Sequence, residues 1–203
     1  EYGGIKYYCI SGGKAHRGKR APKVNKVKWK TVIDEFQPDL TRIWGTEFTD
    51  GLDVMEVSPS PVEIRLQGII RAIDKYPNGS LTLGEMQKGQ PWYMKLTMAV
   101  KYIKDTKGFK KQKSYESKMV ENAACLVADN NWALNLFYNE RIGKNNKLEK
   151  MLLKSVFGCS RWSSEECEKQ MLFCPAGRTG YKGLHQLIKA MAIVIRKYPD
   201  TKL

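Results

Sequence analysis

The sequence predicts an α/β fold built on a mainly parallel sheet, and three observations carry that expectation. Short segments of four or five residues rich in apolar positions recur, at Leu40–Trp44, Val62–Leu66, Cys125–Ala128 and Met171–Cys174. Polar or glycine-bearing turns close them: Gly45-Thr46-Glu47, Gln67-Gly68, Asp129-Asn130-Asn131 and the glycine-rich stretch after Cys174. Most are followed by helix-patterned segments, and strand–loop–helix alternation is the signature of parallel sheets with helical crossovers.

Taken in order, Ile5–Ile10 is expected as a strand ahead of the Gly12-Gly13 turn. Lys14–Lys30 is strongly basic with Trp29 as its large aromatic, which suits either a solvated face or an arm against phosphates. From Val27 the pattern turns helical, with Val27, Val32, Ile33 and Phe36 on one face, until Pro38 ends it. The strand at 40–44 follows. After the strand at 62–66, Ile69–Tyr76 reads as a helix ended by Pro77-Asn78-Gly79. Residues 80–111 read as irregular and then basic, and 112–124 as helix. The strand at 125–128 leads through a cap signal, "DNNW" at 129–132, to a helix over Trp132–Tyr138. Residues 139–165 are basic and take no assignment. The last unit is the strand at 171–174, a loop, and a helix over Leu184–Lys197. Leu184, Leu187, Ile188, Met191 and Ile195 keep the spacing of a buried face there.

Composition narrows the function classes. At 203 residues with 42% hydrophobic and 28% charged residues, the chain can bury a sizeable core. The formal net charge of +14 favours polyanionic company: nucleic acid, an anionic membrane face or phosphorylated small molecules. No uncharged apolar run approaches the ~18 residues a membrane span needs. Five scattered cysteines, no C-x-x-C and two histidines argue against a zinc site and for reduced thiols in a cytosolic setting.

The strand-end loops hold the candidate chemistry. In an open α/β sheet they gather along one edge, so Glu47, Gln67 and Asn131 are candidates to line a polar ligand such as a sugar or nucleotide. The loop after Met171–Cys174 is the most specific. Glycines at 177, 180 and 183 admit close backbone approach, Arg178 and Lys182 add two cations, and the next helix begins with partial positive charge. That combination suits a diphosphate; a surface turn with solvated cations is the plainer alternative. Neither the P-loop pattern nor G-x-G-x-x-G occurs. Capping and turn duty is likewise the plain reading of each polar loop alone.

Four blocks in order resemble family 4 glycosyltransferases. "FQPDLTRIWGTEF" (36–48) resembles their F-x-P-D-hydrophobic-H-x-x-G-T-E segment, and "VEIRLQGIIRAI" (62–73) their S-I-Q-G-L-I strand and helix. "FKKQKSYESKMVENAACLVADNNW" (109–132) is similar to their F-x-x-R-x-x-x-E block, although Asp129-Asn130-Asn131-Trp132 lacks its arginine. Residues 167–203 are similar to the opening of their nucleotide-sugar domain, with Arg178 and Lys182 four apart where the family loop sets its cations five apart.

The resemblance implies a GT-B architecture of Rossmann-like parallel sheets flanked by helices. It assigns residues 1–165 to an acceptor-side domain and 166–203 to the first βα unit of an incomplete donor domain, the family's E-x7-E segment falling beyond residue 203. The implied activity is retaining transfer of a sugar from a nucleotide diphosphate to a hydroxyl acceptor, lipid-linked or polysaccharide. No cofactor or metal is implied. Gly177, Arg178, Lys182 and Gly183 would hold the donor, with Arg178 and Lys182 stabilising the leaving diphosphate, and Glu47, Gln67 and Asn131 would face the acceptor. The setting would be cytoplasmic, at the inner membrane face. The rivals are a basic nucleic-acid-binding protein, resting on "KAHRGKR" with Trp29 although no nucleic-acid-binding motif occurs, and a non-catalytic scaffold.

Overall fold

Four strands pair in parallel in the order β1-β2-β3-β4. They are β1 (Thr41–Trp44), β2 (Val62–Arg65), β3 (Cys125–Ala128) and β4 (Lys147–Lys150). The computed structural model describes residues 4–10, 23–139, 147–150, 163–175 and 179–203. It falls into two units. Unit 1 comprises described residues within Glu1–Lys75 and Ile103–Leu153, and unit 2 those within Tyr76–Tyr102 and Lys154–Leu203.

The sheet belongs to unit 1. Its registers include Ile43↔Ile64, Ile64↔Leu126 and Leu126↔Leu148. All four residues of β2 are buried, as expected of a central parallel strand covered on both faces. β4, "KLEK", has no apolar run, which is why the sequence reading passed over it; charged residues are common on edge strands, where they discourage further pairing.

Helices flank the sheet. α1 (Lys23–Phe36) ends at Gln37, whose φ of 49° leaves the right-handed region ahead of Pro38. Its inward face differs from expectation: Ile33 and Asn25 are buried, whereas Val27 and Phe36 are largely exposed. α2 (Asp50–Val57) was not anticipated, being only eight residues long. Asp50 and Asp53 in its first turn suit the helix dipole. Gly51 lets α2 close on the core, since a Cβ there would lie 2.3 Å from Met119 Cε.

α3 (Ile70–Lys75) follows β2, and α6 (Asn131–Asn139) follows β3. The cap at α6 is as expected: Ala133 N–H donates to Asn130 Oδ1 at 2.9 Å. Ile64, Met119, Val120, Leu126, Ala128 and Phe137 are fully buried and form the centre of the core. Between α3 and β3 lie α4 (Leu83–Gln87) and α5 (Trp92–Asn122). The helix expected at 112–124 is thus the end of a 31-residue element whose first turn follows Pro91, and residues 92–111 are not irregular.

In unit 2, α7 spans Leu184–Lys197 as expected. Of the five residues assigned to its buried face only Met191 is buried; Ile188 and Ile195 are 56% and 44% exposed. Met171–Cys174 is not a regular strand. It makes one parallel bridge, Met171↔Lys202, with Leu172 N–H donating to Lys202 carbonyl at 2.8 Å and Lys202 N–H to Gln170 carbonyl at 3.0 Å. Thr201-Lys202-Leu203 therefore returns beside residue 171 after α7, a βαβ connection in outline. Ile5–Ile10 likewise forms no regular strand, with a single bridge at Ile5. No helix among the described residues is long and apolar enough to cross a membrane.

Candidate functional site

The carboxyl edge of the unit 1 sheet brings together two of the sequence-predicted residues. The ladder continues past the strands, with Gly45 N–H donating to Arg65 carbonyl and Leu66 N–H to Val127 carbonyl, each at 2.8 Å. The loops after β1 and β2 thus leave the sheet side by side. Glu47, half-buried, turns its carboxylate back over them: Gly68 N–H donates to Oε1 at 2.7 Å. The fit depends on glycine at both loops. A Cβ on Gly45, whose φ is +87°, would lie 2.1 Å from Glu47 Oε2, and one on Gly68 2.5 Å from Oε1. Gln112 donates its side-chain amide to the Glu47 carbonyl. Gln67 is exposed at the rim of the same cradle.

Beneath this edge lies a buried polar network. Glu116 of α5 is completely buried and accepts from Thr46 Oγ1 at 2.9 Å, Ile70 N–H at 2.8 Å, Arg71 N–H at 3.0 Å and Arg71 Nε at 3.2 Å. One side chain thereby ties the β1 loop to the first turn of α3, supplying acceptors where a helix start has spare N–H groups. Arg71, 1% exposed, also donates to Ser117 Oγ at 3.2 Å and stacks 4.6 Å from the Phe137 ring centre. Sequence reasoning missed Glu116 and Arg71 as a pair. The available signal was Phe109, Gln112 and Glu116 recurring along one helix face, the first two also being buried.

The third strand contributes less directly. Asp129 pairs with Arg65, whose guanidinium lies 4.5 Å from the Trp44 ring centre. Asn131, the remaining acceptor-side candidate, is exposed at the start of α6; the capping falls to Asn130. The described strand order runs without reversal, so no topological switch opens a crevice among these strands. Glu47 and Gln67 themselves, rather than a gap between diverging crossovers, mark the edge.

A cavity of about 520 Å³ also flanks β1, between α1 and α2. Trp29, Ile33, Phe36, Trp44 and Phe48 make it largely apolar. Trp29 Nε1 and Asp50 Oδ1 are buried in its wall without a hydrogen-bond partner among the described residues.

In unit 2, Gly180–Lys182 form a short 3-10 turn and Gly183 adopts a φ of +80°, after which α7 begins. The Gly183 carbonyl accepts from Gln186 and Leu187 N–H. Lys182 is exposed, its Nζ 5.8 Å from the Tyr181 ring centre. Close packing holds the turn: a Cβ on Gly79 would lie 2.1 Å from the Gly180 carbonyl oxygen, and His185 Nε2 sits 2.9 Å from the Gly79 carbonyl. Gly177 and Arg178 lie outside the described residues.

Among the described residues no group of His, Cys, Asp and Glu is arranged to hold a metal ion. No family, curated protein or solved structure matches this chain.

Proposed function

We propose that the chain serves retaining glycosyl transfer of GT-B type, moving a sugar from a nucleotide diphosphate to a hydroxyl acceptor at the inner membrane face, without a metal. The observation that carries the reading is the unit 2 connection. Lys182 and a left-handed Gly183 stand immediately before a 14-residue helix, and the chain beyond that helix pairs in parallel with Met171. A glycine-bearing turn leading into a helix start is the arrangement in which backbone N–H groups and cations receive phosphate oxygens. In this reading Gly177 and Gly183 admit the diphosphate, while Arg178 and Lys182 neutralise it as it leaves. Glu47 and Gln67, at the carboxyl edge of a parallel sheet, receive acceptor hydroxyls, and Asn131, exposed at the start of α6, is the third acceptor-side residue of this reading.

The test uses the full-length protein and a panel of uridine, guanosine and thymidine diphosphates in titration calorimetry. At least one should bind. Lys182→Ala should weaken it about tenfold or more, the loss expected for one charge-assisted contact, with the unfolding midpoint unchanged because Lys182 is exposed. Failure of all three to bind, or unaltered affinity in Lys182→Ala, overturns the assignment.

A further inference from the structure

The first turns of α5, which belong to unit 2, carry an exposed apolar surface. Trp92, Leu96 and Val100 recur one turn apart and are 80%, 67% and 45% exposed; Tyr93 widens the stripe and is 57% exposed. At about 100° per residue these four side chains fall within an arc of roughly 100° on one side of the helix. Their solvation is costly: large apolar groups clustered on one exposed helix face are the mark of an interaction surface rather than of scattered surface residues. α4 and the turn before α5 hold the approach in place. Thr82 and Glu85 form a reciprocal cap on α4, and Gln87 Nε2 donates to the Lys95 carbonyl at 2.7 Å.

Charge decides what covers this face. From Lys88 to Lys101 the chain has three lysines, Lys88, Lys95 and Lys101, all exposed, and no acidic residue. Glu85, the nearest carboxylate before this stretch, is directed to Thr82 and to Lys189, 3.7 Å away. An apolar stripe headed by Trp and Tyr and bordered by lysines matches a bilayer interface. Aromatic rings settle there among the headgroups, and the ammonium groups reach the phosphates. A polar protein partner or a nucleic acid would leave the tryptophan and leucine without a counterpart.

The geometry points to the first turns of α5 as a membrane-docking segment that lies in the headgroup region of an anionic bilayer through Trp92, Tyr93, Leu96 and Val100, with Lys88, Lys95 and Lys101 against the lipid phosphates. This deepens the membrane component of the proposed function, and it stands or falls separately from sugar transfer.

The experiment is co-sedimentation of the purified full chain with phosphatidylcholine vesicles containing or lacking phosphatidylglycerol, together with fluorescence quenching by brominated lipid. The wild type should bind the anionic vesicles, weakly or not at all the zwitterionic ones, and less as salt rises. Leu96→Glu should reduce binding about tenfold or more, because it sets a charge in the apolar stripe. Lys95→Ala/Lys101→Ala should reduce it by a similar factor, at roughly fivefold per lysine. Brominated lipid should quench the wild type and leave Trp92→Phe nearly unquenched. Lys182→Ala should bind vesicles like the wild type, which separates this outcome from failure of the nucleotide site. Equal binding to both vesicle types, undiminished binding in Leu96→Glu, or unaltered quenching in Trp92→Phe overturns the inference. So does a wild-type dimer that ignores vesicles and becomes monomeric in Leu96→Glu, since the stripe would then be a protein interface.

Discussion

Removing Glu116 should destabilise unit 1 more than its single side chain suggests. The residue is fully buried and receives four donors: Thr46 Oγ1, the N–H groups of Ile70 and Arg71, and Arg71 Nε, all between 2.8 and 3.2 Å. Glu116→Ala removes the buried carboxylate that pairs with the Arg71 guanidinium, 1% exposed, and that accepts from two helix-start N–H groups. Breaking a buried pair from one side typically costs about 3–5 kcal/mol. Glu116→Gln keeps the shape but must turn an NH2 towards donors on either side. The Thr46 hydroxyl can rotate to accept, whereas the Ile70 N–H cannot, so a loss of about 3 kcal/mol is expected. Urea unfolding at constant m-value measures both changes. The companion variant Glu116→Gln/Arg71→Met removes both charges, so its loss should fall short of the sum of the single variants by about 1 kcal/mol or more. A cost below about 1 kcal/mol for Glu116→Ala, or strict additivity in the cycle, would refute the reasoning.

Gly45→Ala strains a φ of +87° and sets a methyl 2.1 Å from Glu47 Oε2, so the carboxylate must leave the Gly68 N–H; a loss of about 1–3 kcal/mol in urea unfolding is expected, and wild-type stability would contradict it. Glu85 is held below the ordinary carboxylate range first by the Thr82 backbone N–H, then by the Thr82 hydroxyl and by Lys189. A depressed folded pKa means that its contribution is complete above the unfolded value, near 4.3, and is lost as pH falls through the lower folded value. Amide-exchange protection at Thr82 should therefore fall in acid in the wild type and stay flat in Glu85→Gln; equal profiles would remove the cap from the account.

The parts of this fold that were legible in the sequence are those set by local pattern. β3 and α7 have the expected bounds, and β2 differs by one residue, because a short apolar run between turn residues, or a helix between Gly183 and Pro199, is a local signal. β4 has no such signal: Lys147–Lys150 is a strand because β3 offers it a partner edge. α2 is short and contains Gly51, whose small size matters only because Met119, far along the chain, presses on it. The inward face of α1 was misjudged for a related reason. Val27 and Phe36 are apolar, but the surface that α1 meets sits beside Asn25 and Ile33.

The candidate site divides along the same line, and the division bears on how such an edge could work. Glu47 and Gln67 could be found from sequence because strand ends are punctuated by turn residues. Glu116 showed only as the last of Phe109, Gln112 and Glu116 along one helix face, and its partner Thr46 lies 70 residues away, so the pairing had no local signal. Yet Glu116 gives Glu47 its fixed position, by holding Thr46, the residue before it, against the start of α3. A group that must meet a ligand hydroxyl within a few tenths of an ångström needs a neighbour whose own bonds are already complete. Glu47 has one oxygen engaged by the Gly68 N–H and the other resting against Gly45. The exposed rim is thus soft in sequence terms and rigid in structural ones. The bonds that fix it run to a buried carboxyl group, Glu116, that lies beneath the edge.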